Sequence, residues 1–116
     1  MEDEKKNIDE SWKEAVDKEK EQLKKEGRFI PPEADFSFFI TTLSLQASIA
    51  LGNVLNPATN KKEEDLSQAR FLIDTLSMIK EKTKGNLTSE ESGLLENLLY
   101  ELRMQFINKS KSEGVK

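Results

Sequence analysis

The sequence predicts an all-α protein: a three-helix core, in which a central uncharged helix joins an antiparallel helical hairpin, preceded by a charged amphipathic helix. Three observations predict this class: apolar residues recur at intervals of three and four, capping residues and glycines separate the segments, and no segment alternates as a strand does. A chain of 116 residues has room for one small domain. We divide it into a charged helix with the start of a linker (1–30), a helical domain (31–108) and a polar tail (109–116).

The first predicted helix, residues 8–25, is highly charged. Its apolar positions form a thin seam at helical spacing: Ile8, Trp12, Ala15, Val16 and Leu23. The seam is too short to predict a coiled coil, so we expect a solvated helix that either docks through Trp12 or frays. Gly27 and the pair Pro31-Pro32 then end the helix and start a linker, because proline forces extended backbone before it.

The second predicted helix carries no charge, although 34% of the whole chain is Asp, Glu, Lys or Arg. Residues 36–60 contain no charged side chain in 25 positions. Asp35 is a helix N-cap, and Gly52 stands where a left-handed residue would end the helix after Leu51. The predicted helix therefore runs from Phe36 to about Leu51.

The third and fourth predicted helices form an antiparallel hairpin. Their starts are marked by capping boxes, Asp65 with Gln68 and Thr88 with Glu91. We expect the third helix to run to about Thr83, with Gly85 in the short reversal, and the fourth to run to about Asn108.

Each of these three helices has a main apolar face and a second apolar stripe. The main faces are Phe36, Phe39, Ile40, Leu43, Ala47, Ala50 and Leu51 on the second helix, Leu66, Ala69, Leu72, Ile73, Leu76 and Ile79 on the third, and Leu94, Leu95, Leu98, Leu99, Leu102 and Phe106 on the fourth. The second stripes are Phe38, Leu45 and Ile49 on the second helix, Phe71 and Met78 on the third, and Gly93, Tyr100, Met104 and Ile107 on the fourth. A monomeric bundle needs one stripe per helix, and further apolar stripes in water are typical of association surfaces. The sequence therefore predicts a homodimer or higher oligomer.

Small residues separate the two apolar faces of the second helix. They are Ser37, Thr41, Ser44, Ser48 and Gly52, at steps of four, three, four and four. Small side chains let a neighbouring backbone approach closely, so we interpret the stripe as a packing surface. Whether it faces a helix, a ligand or water is left open.

Several function classes find no support in the composition. The chain has no His and no Cys, which removes the commonest general base, the usual catalytic triads and the common zinc ligands, so we predict no enzyme, metal or cofactor. The net charge of −4 makes nucleic acid an unlikely partner. The uncharged segment is too short and too polar for a membrane span, and the acidic N-terminus does not look like a secretory signal, so we expect a cytoplasmic protein.

One part of the chain resembles a known family. The run EADFSFFITTLSLQASIALGNVLNP, followed by DLSQARFLIDTLSMIKEKTKGNLTSEESGLLENLLYELRMQF, resembles the bacterial family called domain of unknown function 1844. The resemblance spans roughly Pro32 to Ile107 and is most specific from Ile73 to Glu91. It implies a small, mostly helical, cytosolic bacterial protein, and it brings no activity, substrate or catalytic residue.

The function expected from these observations is a non-enzymatic, self-associating protein-interaction module. Residues 1–30 are expected to be available to a protein partner. Two alternatives stay open: a helical protein that binds a small apolar ligand, and a translation- or RNA-associated accessory factor.

Overall fold

The computed structural model describes residues 2–112 of the chain. It contains four α-helices: α1 (Glu2–Glu26), α2 (Phe36–Ala50), α3 (Leu66–Lys82) and α4 (Ser89–Ser112). Within the described range no strand is present, and the all-α class is confirmed.

The charged helix α1 belongs to a unit of its own, Met1–Glu33, separate from the unit Ala34–Lys116. It begins six residues before the predicted start at Ile8, because three acids in its first turn complement the helix dipole. No side chain of α1 is buried. Near its C-terminal end, Gln22 Nε2 donates to Glu26 Oε1 at 2.9 Å. With no buried side chain, α1 lacks the packing of an apolar face that stabilises most helices.

The two ends of α2 are built as predicted. The Phe38 N–H donates to Asp35 Oδ1 at 2.7 Å, which satisfies one of the free donors of the first turn. At the other end Gly52 takes a φ of 79°, in the left-handed region, and its N–H donates to the Ile49 carbonyl at 3.0 Å. These local bonds stop α2 at the predicted glycine.

The hairpin helices also begin at the predicted caps. Asp65 Oδ1 accepts from the Gln68 N–H at 3.1 Å at the start of α3. At α4 the capping box is reciprocal: Thr88 N–H donates to Glu91 Oε1 at 2.9 Å, and Glu91 N–H donates to Thr88 Oγ1 at 3.1 Å. Gly85, with a φ of 85°, lies in the reversal between the helices.

The last helix continues four residues past its predicted end at about Asn108, because α4 includes the polar residues 109–112. Lys109 Nζ lies 3.6 Å from Glu64 Oε2, and Ser112 Oγ donates to the Asn108 carbonyl at 2.9 Å. A partner distant in sequence thus supports an extra helical turn. The predicted tail residues 113–116 lie outside the described part of the chain.

The core lies between α2, α3 and α4, each of which packs against the other two. Its buried members are Ile40, Ala47, Ala50, Leu51, Ala69, Leu72, Ile73, Leu76, Leu95, Leu99 and Leu102. All belong to the predicted main faces, and no polar or charged side chain is buried among the described residues. The prediction that Phe39 belongs to the buried face of α2 is wrong. Phe39 is half exposed, because it lies about 80° around the helix from the buried Ala47.

Candidate interaction surface

The second apolar stripe of α2 is exposed. Phe38 is 50% exposed and Leu45 is 51% exposed, while Ile49 is half-buried. Spacings of seven and four residues place these side chains on one flank of the helix. Phe39, also 50% exposed, adds to the same area.

An open cleft between α2 and α3 shows how the stripes of the two helices are arranged. Gln46, Ile49 and Ala50 line it from α2, and Gln68 and Leu72 line it from α3. On α3, Phe71 and Met78 are exposed and lie seven residues apart on one flank of the helix, outside the lining of this cleft. We give the name α2–α3 surface to the second apolar stripes of these two packed helices together with Phe39: Phe38, Phe39, Leu45, Ile49, Phe71 and Met78.

The polar groups within the α2–α3 surface are satisfied by their own helices. Thr42 Oγ1 donates to the Phe39 carbonyl at 2.7 Å, and Thr75 Oγ1 donates to the Phe71 carbonyl at 2.8 Å. A hydroxyl that already has a hydrogen-bond acceptor can leave water at low free-energy cost. The α2 half of the surface has no charged residue, whereas Glu63 and Asp65 line the cleft and the exposed Asp74 lies between Phe71 and Met78 in the sequence of α3.

The family model described as Domain of unknown function (DUF1844) matches residues 33–108, which include α2, α3 and most of α4. The chain belongs to this family. No curated protein and no solved structure matches the chain. The DUF1844 match contains the whole α2–α3 surface, whereas α1 lies outside it.

The small-residue stripe of this DUF1844 chain lies on the opposite flank of α2. Ser44 and Ser48 are roughly 160–200° around the helix from Gln46, which faces α3. Because α2 also packs against α4, this flank is turned towards α4. Ser37, Ser44 and Ser48 are half-buried and Thr41 is exposed.

Gly52, the last member of the small-residue stripe, is buried under a side chain of the loop before α3. A Cβ added to it would lie 3.2 Å from Glu64 Oε2. At its end the stripe therefore meets Glu64 of its own DUF1844 domain.

The α4 stripe is Gly93, Tyr100, Met104 and Ile107, and it lies on a different side of the DUF1844 domain. Tyr100, Met104 and Ile107 are exposed, whereas Gly93 is half-buried with no atom within 4 Å of an added Cβ. Ile107 lines a cleft of about 250 Å³ between α3 and α4, together with Arg70, Asp74 and Arg103. Charged side chains thus border this stripe, and it does not continue the α2–α3 surface.

Three further observations concern binding of a small ligand, binding of a metal ion and membrane insertion by the DUF1844 domain. The α2–α3 cleft has a volume of about 350 Å³ and is open to solvent, and its lining includes neither Phe38 nor Ser44. Across residues 2–112, no group of three or more Asp or Glu side chains is placed to hold a metal ion. No helix in that range is long and apolar enough to cross a membrane.

Sequence reasoning missed part of the exposed apolar area of this DUF1844 chain. Besides Phe39, it did not single out Val54 and Leu55, which are exposed in the loop between α2 and α3. The available signal was the length of the uncharged run, because that run continues past the end of α2 to Asn60.

Proposed function

We propose that this protein is a non-enzymatic protein-interaction module that associates with itself through the α2–α3 surface. The observation that carries the proposal is the exposure of Phe38, Phe39, Leu45, Phe71 and Met78, each by about half or more, beside a helix without charge. Single exposed apolar residues are common, but a contiguous exposed apolar area is typical of an interaction site.

The size of the α2–α3 surface suits a protein partner. Large apolar side chains bury about 150–250 Å² each, so five of them that are about half exposed offer on the order of 500 Å² of apolar area. An interface of standard size uses about 800 Å² per partner, with a polar rim around an apolar centre. The Thr and Gln side chains beside the surface can supply that rim.

Light scattering coupled to size-exclusion chromatography tests the proposal. At micromolar concentration we expect a mass at least twice the chain mass of 13.3 kDa. Leu45→Glu should return the protein to a monomer, because it places a carboxylate in the centre of the apolar contact. A stable monomer of the unaltered protein would overturn the proposal.

Tyr100→Glu is the matched control, since Tyr100 is even more exposed than Leu45 but belongs to the α4 stripe. It should leave the mass of the assembly unchanged. Thermal melts followed by circular dichroism should show both variants folded, because neither side chain is buried.

We further propose that α1 contacts a protein partner through its apolar seam. Trp12 is 69% exposed and Ile8 is 66% exposed, on a helix with no buried side chain. Trp12 is the single tryptophan of the chain, so its fluorescence reports on the environment of α1. Affinity capture with the full-length protein and with Trp12→Ala should differ in the retained proteins, and a retained protein should shift the Trp12 emission to shorter wavelength. Identical capture by the two proteins would contradict this part of the proposal.

A further inference from the structure

We infer that the occupant of the α2–α3 surface is a second copy of this chain, related by a two-fold axis that sets the two α2 helices antiparallel. This inference rests on the proposed self-association and adds its geometry. In a two-fold contact the same patch of both copies meets, so every residue near the axis lies close to its own counterpart. A patch used in this way must therefore carry no charged group that would face the same group of the second copy.

Among the three core helices, only α2 has an exposed stripe with no charged residue on the same helix. On α3, the exposed Asp74 lies about 60° around the helix from Phe71, so self-pairing there would bring two carboxylates close together. On α4, the exposed Arg103 lies about 60° around the helix from Tyr100 and donates to Ser77 Oγ of α3, so self-pairing would bring two guanidinium groups near each other. Like charges in contact disfavour association. The charge-free α2 is therefore the helix that can lie on the axis.

The apolar residues of α2 also suggest the register. Phe38 and Ile49 are the first and last apolar residues of the α2 stripe, and the midpoint between them falls between residues 43 and 44. In an antiparallel pair centred there, Phe38 meets Ile49 of the partner subunit. Thr42 meets Leu45 of the partner subunit, so a small side chain lies opposite a large one and the helices can approach closely. The Thr42 hydroxyl keeps its bond to the Phe39 carbonyl in this contact.

The rest of the α2–α3 surface fits this arrangement. Phe71 and Met78 are exposed on α3, which packs beside α2, so in the pair they lie alongside the α2 helix of the second copy. The apolar area of on the order of 500 Å² per chain is then covered on both copies by the same contact.

Cysteine cross-linking tests the geometry, because the chain has no native Cys and a single substitution adds the only thiol. At 1.5 Å rise per residue, the two copies of Leu45 are offset by only about 4–5 Å along the helices, whereas the two copies of Phe38 are about 16 Å apart. A disulfide requires Cα atoms within about 7 Å. Under mild oxidation Leu45→Cys should therefore form a covalent dimer and Phe38→Cys alone should not.

A mixture of Phe38→Cys and Ile49→Cys chains should cross-link, and so should a mixture of Thr42→Cys and Leu45→Cys chains. These four side chains are exposed or half-buried, and circular dichroism melts should show that the variants are folded. Cross-linking of Phe38→Cys with itself would show parallel helices and overturn the inference. Tyr100→Cys should stay uncross-linked, as the matched control on the α4 stripe.

Light scattering separates the two proposals. A dimer mass without cross-links at Leu45→Cys or in the two mixtures leaves self-association standing and overturns the two-fold α2 contact. A monomer mass for the unaltered protein overturns both.

Discussion

The helices α1 and α2 reach the same secondary structure from opposite compositions. α1 has 25 residues, acids and bases along its length and no buried side chain. α2 has 15 residues, no charge and a face buried against α3 and α4. Isolated helices shorter than about 12–15 residues are marginal in water, so the 15-residue α2 depends on its neighbours for stability, whereas the longer α1 forms without burying a side chain. Secondary structure alone therefore does not predict which substitutions or solution conditions will destabilise a helix.

The largest expected difference between the two helices comes from truncating an isoleucine in each. Ile40 is fully buried, and Ile40→Ala should lower the free energy of unfolding by about 2–5 kcal/mol, because it leaves a cavity among α2, α3 and α4. Urea unfolding followed by circular dichroism measures this loss. Ile8→Ala in α1 is the control, and we expect a change within about 0.5 kcal/mol because Ile8 is exposed. Equal losses would refute the contrast.

Glycines at the two helix ends give the next largest contrast. Gly52 after α2 has a φ of 79°, and an added Cβ would meet the Glu64 side chain, so Gly52→Ala should cost about 1–2 kcal/mol of unfolding free energy. Gly27 after α1 has a φ of 66°, with nothing within 4 Å of an added Cβ. Gly27→Ala should fray the end of α1 and leave the urea midpoint of the α2–α4 bundle unchanged. A shift of that midpoint by Gly27→Ala would contradict the local character of α1.

Removal of the N-cap of α2 should have a smaller effect. Asp35→Ala loses the bond from the Phe38 N–H and should cost about 1 kcal/mol of unfolding free energy. Asp35→Asn keeps a side-chain oxygen at that position and should cost much less. If both variants unfold at the same urea concentration as the unaltered protein, the cap does not contribute to the stability of α2.

Salt should produce the smallest effect. Exposed pairs such as Lys20 of α1 with Glu33 of the following linker, whose charged atoms lie 3.7 Å apart, contribute about 1 kcal/mol or less and are screened at about 1 M salt. Backbone chemical shifts measured by NMR at low and high salt should show helix loss in residues 2–26 and little change in α2. A larger salt response in α2 than in α1 would be inconsistent with their compositions.

The helix starts and the core were predictable from sequence because their causes are local. Asp35, Asp65 and Thr88 are caps whose partners lie three residues away, and left-handed glycines lie within three residues of the ends of α1, α2 and α3. Spacing at 3.6 residues per turn then identified the buried leucines of α3 and α4.

The features that were not predictable depend on contacts between distant residues. The extra turn of α4 is supported by Lys109 near Glu64, 45 residues earlier in the chain. The exposure of Phe39 depends on how closely α3 approaches the edge of α2. The flank on which each second stripe lies depends on the order of the helices around the core, so the sequence identified Ile107 as a stripe residue but could not show that it lines a cleft with Arg70, Asp74 and Arg103.

The absence of charge on α2 has a consequence for temperature. Burial of apolar surface lowers the heat capacity, and near 25 °C its driving force is almost entirely entropic. An assembly held by the α2–α3 surface would therefore weaken on cooling, with little enthalpy of ion pairing to compensate. Cold storage would then favour separate chains, and mild warming would favour the assembly until the bundle itself begins to melt.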